Sequence, residues 1–354
     1  MSYAFSPYKI KDVEFRNRIW MSPMCQYSCD AGIVNDWHQV HLGTRAVGGV
    51  GLVMVEATAV SPEGRITPDD AGLWSEAHAQ AFAPIVKFVQ AQGSKIGVQI
   101  AHAGRKASTE APWKGGSPVQ DARAWQTLAP SALAFKPDWH LPKAMDKQDM
   151  NAVLKQFCYT AQLANHVGFD VLEIHMAHGY LLHEFLSPLS NLRTDEYGGL
   201  SLENRMRFPL EIAKAVRTVW PEHKPLFVRI SASDWKDFGW DIEQSIIFCQ
   251  ALKELGIDLV DCSSGGNVHD AHIPVAPCYQ VPFAEAIRKE AGIACAAVGM
   301  ITQAHEAENI IKNGQADSVF LARALLREPY WVHEAAKTLG VDIRWPQQYM
   351  RGKT

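Results

Sequence analysis

The chain has 354 residues, of which 47% are hydrophobic and 20% charged, a composition that supports a large buried core and excludes a disordered tether. Its net charge of −4, without a polybasic run, argues against a nucleic-acid partner. The longest stretch without Asp, Glu, Lys or Arg has 15 residues (291–305), shorter than the ~20 apolar residues of a membrane span, so we expect no membrane partner.

Short apolar or β-branched runs alternate along the chain with longer amphipathic stretches, a pattern typical of parallel strands joined by helices. The predicted strands are 19–24, 52–55, 96–100, 171–174, 226–230, 259–262, 294–298 and 318–321. The predicted helices are 37–47, 76–92, 146–167, 202–219, 242–255, 282–290, 304–313 and 329–339. Eight β/α units in order predict an α/β fold of the (β/α)8 TIM-barrel class.

A doubly wound Rossmann fold is the structural alternative to the barrel. Its phosphate fingerprint, G-x-G-x-x-G, is missing, and the nearest match, Gly49-Val50-Gly51, has Met54 in place of the third glycine. The barrel is therefore the favoured fold.

The third β/α unit carries an extended loop insertion at about 103–143, after strand 3. This segment is rich in Pro, Trp and Gly and has no clear periodicity. We interpret it as a lid over the barrel mouth. Because no linker or change in composition divides the chain, residues 1–354 are expected to form a single domain.

A barrel of this class carries its chemistry on the loops that follow the carboxyl ends of its strands. Those segments here are 24–27 (MCQY), 56–57 (EA), 99–102 (QIAH), 175–180 (HMAHGY), 229–231 (RIS), 263–266 (SSGG), 299–300 (GM) and 322–323 (AR). They are polar, as in an enzyme. The loops after strands 7 and 8 are common phosphate sites, which Gly299 and Arg323 would suit; ordinary turn chemistry is the alternative.

The segment H-x-x-H-x-Y at 175–180 is the most distinctive local feature. If the strand ends near His175 and the chain then turns helically, the i, i+3 spacing brings His175 and His178 to one point. Three interpretations remain open at this stage: buried structural histidines, two metal ligands with Glu56 as a third, or two donors to a substrate oxygen with Tyr180 as proton donor.

Alternation along strands 4 and 5 predicts which side chains enter the barrel. Glu173 and His175 share one face of strand 4, and Arg229 lies on the corresponding face of strand 5. A carboxylate inside a barrel needs a cation, and Arg229 is the nearest candidate in the sequence. Arg229 is therefore expected to pair with Glu173, to reach a ligand above it, or to do both.

Together these residues resemble the old yellow enzyme family, and within it the bacterial subclass of thermophilic-like ene-reductases and xenobiotic reductases. The resemblance covers essentially the whole chain. It rests on the segments 17–19 (NRI), 21–27 (MSPMCQY), 56–57 (EA), 64–66 (GRI), 99–106 (QIAHAGRK), 174–181 (IHMAHGYL), 185–188 (FLSP), 191 (N), 193–199 (RTDEYGG), 204–205 (NR), 229–231 (RIS), 299–301 (GMI) and Arg323.

The resemblance implies a tightly but non-covalently bound FMN at the barrel mouth, with NADPH or NADH as reductant. The residues that would line the flavin ring are Ser22, Pro23, Met24, Cys25, Ala57 and Gln99. Arg229 would face the N1/O2 edge, where a cation stabilises the reduced flavin. The FMN phosphate would be held by Gly299, Ala322 and Arg323. Ala322 stands where most members have Gly, and its methyl group is expected to crowd the phosphate.

The implied activity is that of an NADPH dehydrogenase or ene-reductase acting on a small molecule. Hydride would pass from the nicotinamide to flavin N5 and then to the β-carbon of an α,β-unsaturated carbonyl or nitro compound. His175 and His178 would hydrogen-bond the substrate oxygen, and Tyr180 would protonate the α-carbon, because a phenol keeps its proton at neutral pH. Tyr27 would contact the substrate from the opposite side, and Cys25 would adjust the flavin potential.

The C-terminal residues Tyr349 and Arg351 match a closing Tyr-x-Arg-Gly motif of the same subclass. There the Arg crosses to a neighbouring subunit and completes its active site. The resemblance therefore implies a homodimer or a tetramer of dimers, with Arg351 as a substrate-binding residue; a solvated tail is the alternative.

Two other functions remain open. The chain could be a flavin redox sensor or binding protein that uses Cys25, or a metal-dependent TIM-barrel hydrolase that uses His175 and His178. Relatives with an iron–sulfur cluster and further domains are disfavoured, because no cysteine cluster is present.

The N-terminus lacks a basic region followed by an apolar run, so no signal peptide is predicted and a cytoplasmic location is expected. The seven cysteines include no C-x-x-C pair, which argues against a disulfide framework and a zinc knuckle.

Overall fold

The computed structural model describes residues 2–353. Its strands are β1 (Tyr8–Ile10), β2 (Val13–Phe15), β3 (Ile19–Met21), β4 (Leu52–Ala59), β5 (Lys95–Ala101), β6 (Leu128–Ala129), β7 (Lys143–Ala144), β8 (Val171–Met176), β9 (Leu226–Ser231), β10 (Leu259–Ser263), β11 (Ala294–Ala297) and β12 (Ser318–Leu321). Its α-helices are α1 (Asp36–Val47), α2 (Glu76–Ala91), α3 (Lys147–Val167), α4 (Leu181–Leu186), α5 (Leu202–Val219), α6 (Ile242–Glu254), α7 (Val281–Glu290), α8 (Ala304–Lys312), α9 (Arg323–Arg327) and α10 (Trp331–Thr338). Within residues 2–353, no helix is both long and apolar enough to cross a bilayer.

Eight of these strands form a closed parallel barrel, in the order β3, β4, β5, β8, β9, β10, β11 and β12, with β12 pairing back onto β3. Helices connect successive barrel strands along the chain. The predicted (β/α)8 class is therefore confirmed, and the carboxyl ends of all eight strands meet at one mouth.

Helix ends follow local capping chemistry. The Asn35 side chain accepts from the Trp37 backbone N–H at the start of α1, and Asp146 caps α3 in the same way through Gln148 and Asp149. Gly168 ends α3 in the left-handed conformation, which glycine adopts without a steric penalty. These signals fix where the helices begin and end around the barrel.

Side chains alternate along each strand between the barrel interior and the surrounding helices. Val171 of β8 and Phe227 of β9 belong to the inner cluster, whereas Leu172 and Val228 pack in the outer core against the helices. This is the inward and outward assignment predicted from the sequence.

The lower part of the barrel is filled by aromatic rings. Trp20 lies 5.8 Å from Phe227 and 5.4 Å from Phe320 between ring centroids. Phe15 of the β1–β2 hairpin packs on Trp20 at 4.7 Å, so the hairpin closes the barrel from below. This apolar floor separates the mouth from solvent at the opposite end.

Two predicted strands end at clearly different residues in the structure. The strand predicted at 19–24 ends at Met21, because Pro23 has no N–H to continue the ladder. The strand predicted at 52–55 continues to Ala59, so Glu56 and Ala57 lie within β4 rather than after it. The helix predicted at 329–339 is confirmed as α10, and the short helix α9 before it was not predicted.

The insertion has little regular structure. It contains two short 3-10 helices, Gly104–Lys106 and Pro112–Lys114, and β6, which pairs in parallel with β7. Its role as a lid remains a prediction.

Phe227→Ala should lower the free energy of unfolding by about 3–5 kcal/mol, because it leaves a cavity beside Trp20 in a packed interior. The matched control is Phe238→Ala, since Phe238 is 94% exposed and its loss should cost less than about 0.5 kcal/mol. Urea denaturation followed by tryptophan fluorescence measures both. Equal destabilisation by the two changes would contradict the proposed floor.

Candidate active site

Most of the predicted site residues meet at the carboxyl ends of the barrel strands. His175 of β8 is in register with Arg229 of β9, and Gln99 of β5 is in register with Ala57 of β4. Ser22 follows β3 directly and is buried. The fold thus brings together residues that are up to two hundred positions apart in the sequence.

A layer of buried charged groups lies directly below the mouth. Arg229 Nε is 3.2 Å from Asp261 Oδ2, and Gln99 Nε2 donates to Glu173 Oε1 at 2.8 Å. Burial raises the pKa of Glu173 to about 8 and that of Asp261 to about 6, and the Arg229 charge opposes both shifts. At neutral pH this layer therefore holds the pair Arg229⁺ and Asp261⁻ together with a protonated Glu173.

The sequence predicted an ion pair between Arg229 and Glu173, and this prediction was wrong. The carboxylate within ion-pair distance of Arg229 in the described chain is Asp261. The two residues are in register on β9 and β10, and a residue directly opposite on a neighbouring strand is the nearest available partner. Asp261 lies two residues after Leu259 on β10, and Leu259 belongs to the inner cluster, so both side chains point into the barrel. The alternation along this strand could therefore have identified Asp261.

His175 and His178 lie close together, with ring centroids 5.2 Å apart. The Ala177 backbone N–H donates to His175 Nδ1 at 3.1 Å, which places the proton of a neutral His175 ring on Nε2. His178 Nε2 is 2.8 Å from Ser263 Oγ. His175 is thus fixed as a donor through Nε2–H.

Both histidines are uncharged at neutral pH. Burial lowers the pKa of His175 and of His178 well below the usual value, and the nearby Arg229 charge lowers both further. The pair can donate hydrogen bonds to an oxygen, but an imidazolium is not available as an acid.

Tyr180 completes this cluster. Its ring lies 5.0 Å from the His175 ring in an edge-to-face arrangement. Burial raises the pKa of Tyr180 well above its usual value, with smaller contributions from Cys25 and Tyr27. The phenol therefore keeps its proton over the physiological pH range.

Cys25 and Tyr27 lie on the loop after β3. Tyr27 adopts a left-handed backbone (φ 48°). Burial, followed by the charges of Asp70 and Glu56, raises the pKa of the Cys25 thiol well above its usual value. Cys25 is therefore held as a neutral thiol.

A buried contact that the sequence analysis did not predict supports the Cys25–Tyr27 loop. Glu56 Oε2 accepts from the Gln26 backbone N–H at 2.8 Å, and Glu56 Oε1 is 3.1 Å from His38 Nε2. Both side chains are almost completely buried. The sequence identified Glu56 as a strand-end carboxylate but gave no signal that a helix histidine would reach it.

The predicted phosphate residues line a cavity of about 190 Å³ at the mouth. Its walls are formed by Tyr279, Gln280, Val298, Gly299, Met300, Ile301, Thr302, Phe320, Ala322, Arg323, Ala324 and Arg327. Gly299 has φ 119°, and an added Cβ would lie 2.6 Å from Gln280 Nε2, so the backbone approaches closely here.

This cavity suits the phosphate of an FMN. Arg323 is exposed and contacts Met300 Sδ at 3.0 Å, and in residues 2–353 no carboxylate lies within ion-pair distance of its guanidinium. The backbone N–H groups of Gly299 and Met300 likewise have no acceptor in the described chain. A cation and free amides are the donors that a phosphate requires. Ala322 lies in the wall of this cavity, and the crowding expected from its methyl group stays a prediction.

Arg351 is not brought to the mouth of its own barrel. It lies exposed on the 3-10 helix Gln347–Gly352, where Tyr349 packs on Tyr330 at 6.1 Å. Within residues 2–353, no contact joins Arg351 to the histidine cluster.

The donors for a metal centre are not assembled here. In the part of the chain that the structure describes, no group of three or more His, Cys, Asp or Glu side chains could hold a metal ion. Glu56, the third ligand considered above, is engaged by His38 and Gln26. The geometry therefore gives no support to the hydrolase interpretation.

Comparison with protein families gives a match over residues 4–341 to the NADH:flavin oxidoreductase / NADH oxidase family. An NADPH dehydrogenase of Geobacillus sp. (strain WCH70) is 51% identical over 350 residues, which cover 98% of each chain. An NADPH dehydrogenase of Bacillus subtilis (strain 168) is also 51% identical, with the same coverage.

Solved structures give the same architecture. A morphinone reductase superposes with a TM-score of 0.81 at 25% identity, covering 98% of this chain and 92% of that chain. The TcOYE structure with pHBA has a TM-score of 0.80 at 21% identity, covering 98% and 95%, and at that identity it supports the fold alone.

Arg323→Ala should weaken FMN binding roughly 10- to 100-fold, because it removes the charge-assisted hydrogen bonds to the phosphate. Quenching of FMN fluorescence on titration with the apoprotein gives the dissociation constant. Arg123→Ala, which removes an exposed arginine of the insertion, is the charge-matched control and should leave it unchanged. Wild-type affinity in Arg323→Ala would disprove the assignment of this cavity to the phosphate.

Proposed function

The chain belongs to the NADH:flavin oxidoreductase / NADH oxidase family, and on that premise we propose that it is an ene-reductase for α,β-unsaturated carbonyl compounds. It is an FMN-dependent NADPH dehydrogenase, as its relatives of about 50% identity indicate. The observation that carries the finer proposal is the cluster of two neutral histidines and a protonated tyrosine at the mouth, above a buried arginine.

FMN, when bound, would supply the hydride chemistry, accepting hydride from a nicotinamide and delivering it to the β-carbon of the alkene. The residues we propose for the flavin ring are Ser22, Pro23, Met24, Cys25, Ala57, Gln99 and Arg229. The residues we propose for the phosphate are Gly299, Ala322 and Arg323.

His175 and His178 would bind the substrate oxygen. His175 presents Nε2–H, since its Nδ1 already accepts from the Ala177 N–H, and His178 could exchange its Ser263 contact for the ligand. Two donors on one carbonyl oxygen withdraw electron density from the conjugated alkene and favour attack at its β-carbon. Neutral rings suit this role because they bind the oxygen without transferring a proton to it.

Tyr180 would protonate the α-carbon. Its ring contacts His175, so a substrate oxygen held by the histidines lies within the same cluster. Its raised pKa keeps the proton on the phenol until charge develops on the substrate. Tyr27 would contact the substrate from the opposite side of the mouth.

Cys25 would tune the flavin rather than act as a redox signal. A sensor cysteine needs thiolate character, whereas desolvation and the charges of Asp70 and Glu56 raise the pKa of Cys25 and favour its thiol form, although its side chain is only half-buried. This observation favours the reductase over the sensor hypothesis.

We also propose a cytoplasmic location, because of the state of the cysteines. All seven are free in the structure, which is usual where thiols are kept reduced.

Tyr180→Phe should slow alkene reduction by roughly 10²- to 10⁴-fold while leaving flavin reduction by NADPH nearly unchanged, because only the second half-reaction needs the proton. Stopped-flow absorbance separates the two half-reactions with 2-cyclohexenone as oxidant. The control is Tyr159→Phe, which removes a hydroxyl from an exposed position on α3. A defect confined to flavin reduction would show that Tyr180 is not the proton donor.

We also propose that Arg351 completes the active site of a partner subunit in a homodimer. Its tail is exposed and carries the apolar side chains of Tyr349 (44% exposed) and Met350 (49% exposed), which an interface would cover. A planar guanidinium above the mouth would attract electron-rich ligands.

Mixing Arg351→Ala with Tyr180→Phe subunits should restore activity if the arm crosses. Each mixed dimer then has one intact site and one doubly defective site, so a 1:1 mixture should reach about one quarter of wild-type activity. Steady-state NADPH oxidation with 2-cyclohexenone measures the recovery, and native mass spectrometry confirms subunit exchange. No recovery in an exchanged mixture would show that Arg351 acts within its own subunit or has no role.

A further inference from the structure

The catalytic segment His178–Tyr180 has a backbone that its own sequence does not favour. His178 has φ 60° and Gly179 has φ 71°, both in the left-handed region. Glycine adopts this region freely, but a histidine does so only where the surroundings hold it there. Some contact must therefore fix the peptide of His178.

The loop after β10 packs tightly against this segment. A Cβ added to Gly179 would lie 2.2 Å from the Gly266 carbonyl oxygen, and one added to Gly266 would lie 2.8 Å from His178. The carbonyl oxygens of His178 and Gly266 are thus brought close together, and two such dipoles repel each other unless a donor lies between them.

Lys106 supplies that donor. Its Nζ donates to the His178 carbonyl at 2.8 Å and to the Gly266 carbonyl at 3.0 Å. Burial lowers the pKa of Lys106 to about 8, so the ammonium is still largely protonated at neutral pH. Ser231 Oγ accepts from the His178 backbone N–H at 2.9 Å, so the backbone of His178 is held on both sides of its Cα.

Aromatic rings cover the ammonium group. Nζ lies 5.2 Å from the centroid of Tyr180 and 4.7 Å from that of Phe135, which belongs to the insertion. These cation–π contacts connect the insertion to the catalytic tyrosine through one side chain. Because two of its three protons are used on carbonyl oxygens, Lys106 is committed to holding the backbone.

We propose that Lys106 is a positioning residue that clamps the His178 peptide to the Gly266 loop and so aims His178 and Tyr180 at the substrate oxygen. The proposal rests on the function proposed above, because the oxygen is the one that His178 would bind. In this proposal Lys106 acts through the backbone of His178 and contacts neither the cofactor nor the substrate.

Lys106→Met in the FMN-loaded enzyme should weaken binding of 4-hydroxybenzaldehyde roughly 10- to 100-fold, because both carbonyls lose a charged donor. The flavin absorbance change on titration gives the dissociation constant. The KM for 2-cyclohexenone should rise as well, while FMN affinity stays unchanged. Lys136→Met is the matched control: this exposed lysine lies in the same insertion, 5.0 Å from the Trp139 ring, and its loss should have no effect.

A double-mutant cycle with His178→Ala tests whether Lys106 acts through His178. Once His178 is removed, adding Lys106→Met should change the dissociation constant less than twofold, because the clamped group is gone. A further tenfold loss in the His178→Ala background would overturn the proposal. If His178→Ala alone leaves phenol binding intact, the proposed role of the histidines fails instead, so the two failures are distinguishable.

A conservative variant covers the case in which Lys106→Met does not fold. Lys106→Gln keeps an amide donor on a shorter stem and should recover part of the affinity lost in the Met variant. If Lys106→Gln folds and binds 4-hydroxybenzaldehyde like wild type, with an unchanged KM, the charged clamp is not required and the proposal is wrong.

Discussion

The burial of one guanidinium inside the barrel is the constraint on which the active site depends. Arg229 lies below the mouth and is balanced by Asp261 on the neighbouring strand. A single buried charge without a partner would be strongly destabilising, so the second residue is as necessary as the first. Glu173 accepts a hydrogen bond from Gln99, and burial raises its pKa to about 8, so the protonated form of Glu173 is favoured beside the ion pair.

The buried charge and the burial of the site determine the protonation states of the residues above, and so the chemical role that each can take in the proposed reaction. The Arg229 charge and the low dielectric keep His175 and His178 uncharged, and the same burial keeps Tyr180 protonated. Oxygen binding and proton donation are therefore assigned to different side chains. Cys25, under the influence of Glu56 and Asp70, is held as a thiol in the same environment.

Tyr27, His178 and Tyr180 would contact the substrate from loops, and rigid elements fix those loops through backbone contacts, whereas His175 lies on β8 itself. Glu56 of β4 holds the Gln26 peptide and is itself held by His38 of α1. Ser231 of β9 accepts from the backbone N–H of His178, and Lys106 donates to its carbonyl. Left-handed residues at Tyr27 and His178 persist because these contacts fix them, and loops supported in this way place side chains with little freedom.

The sequence by itself determined the number and order of the barrel strands, the inward faces of β8 and β9 and most of the residues near the mouth, because alternation and strand-end position are local properties of the chain. It did not determine that Arg229 pairs with Asp261, that His38 reaches Glu56, or that Lys106 bridges His178 and Gly266. Those contacts join segments far apart in the sequence, and only the closed register of the barrel and the rotation of each helix bring them within hydrogen-bond distance. Sequence pattern specifies which side chains face inward, and the three-dimensional arrangement decides which partner each one meets there.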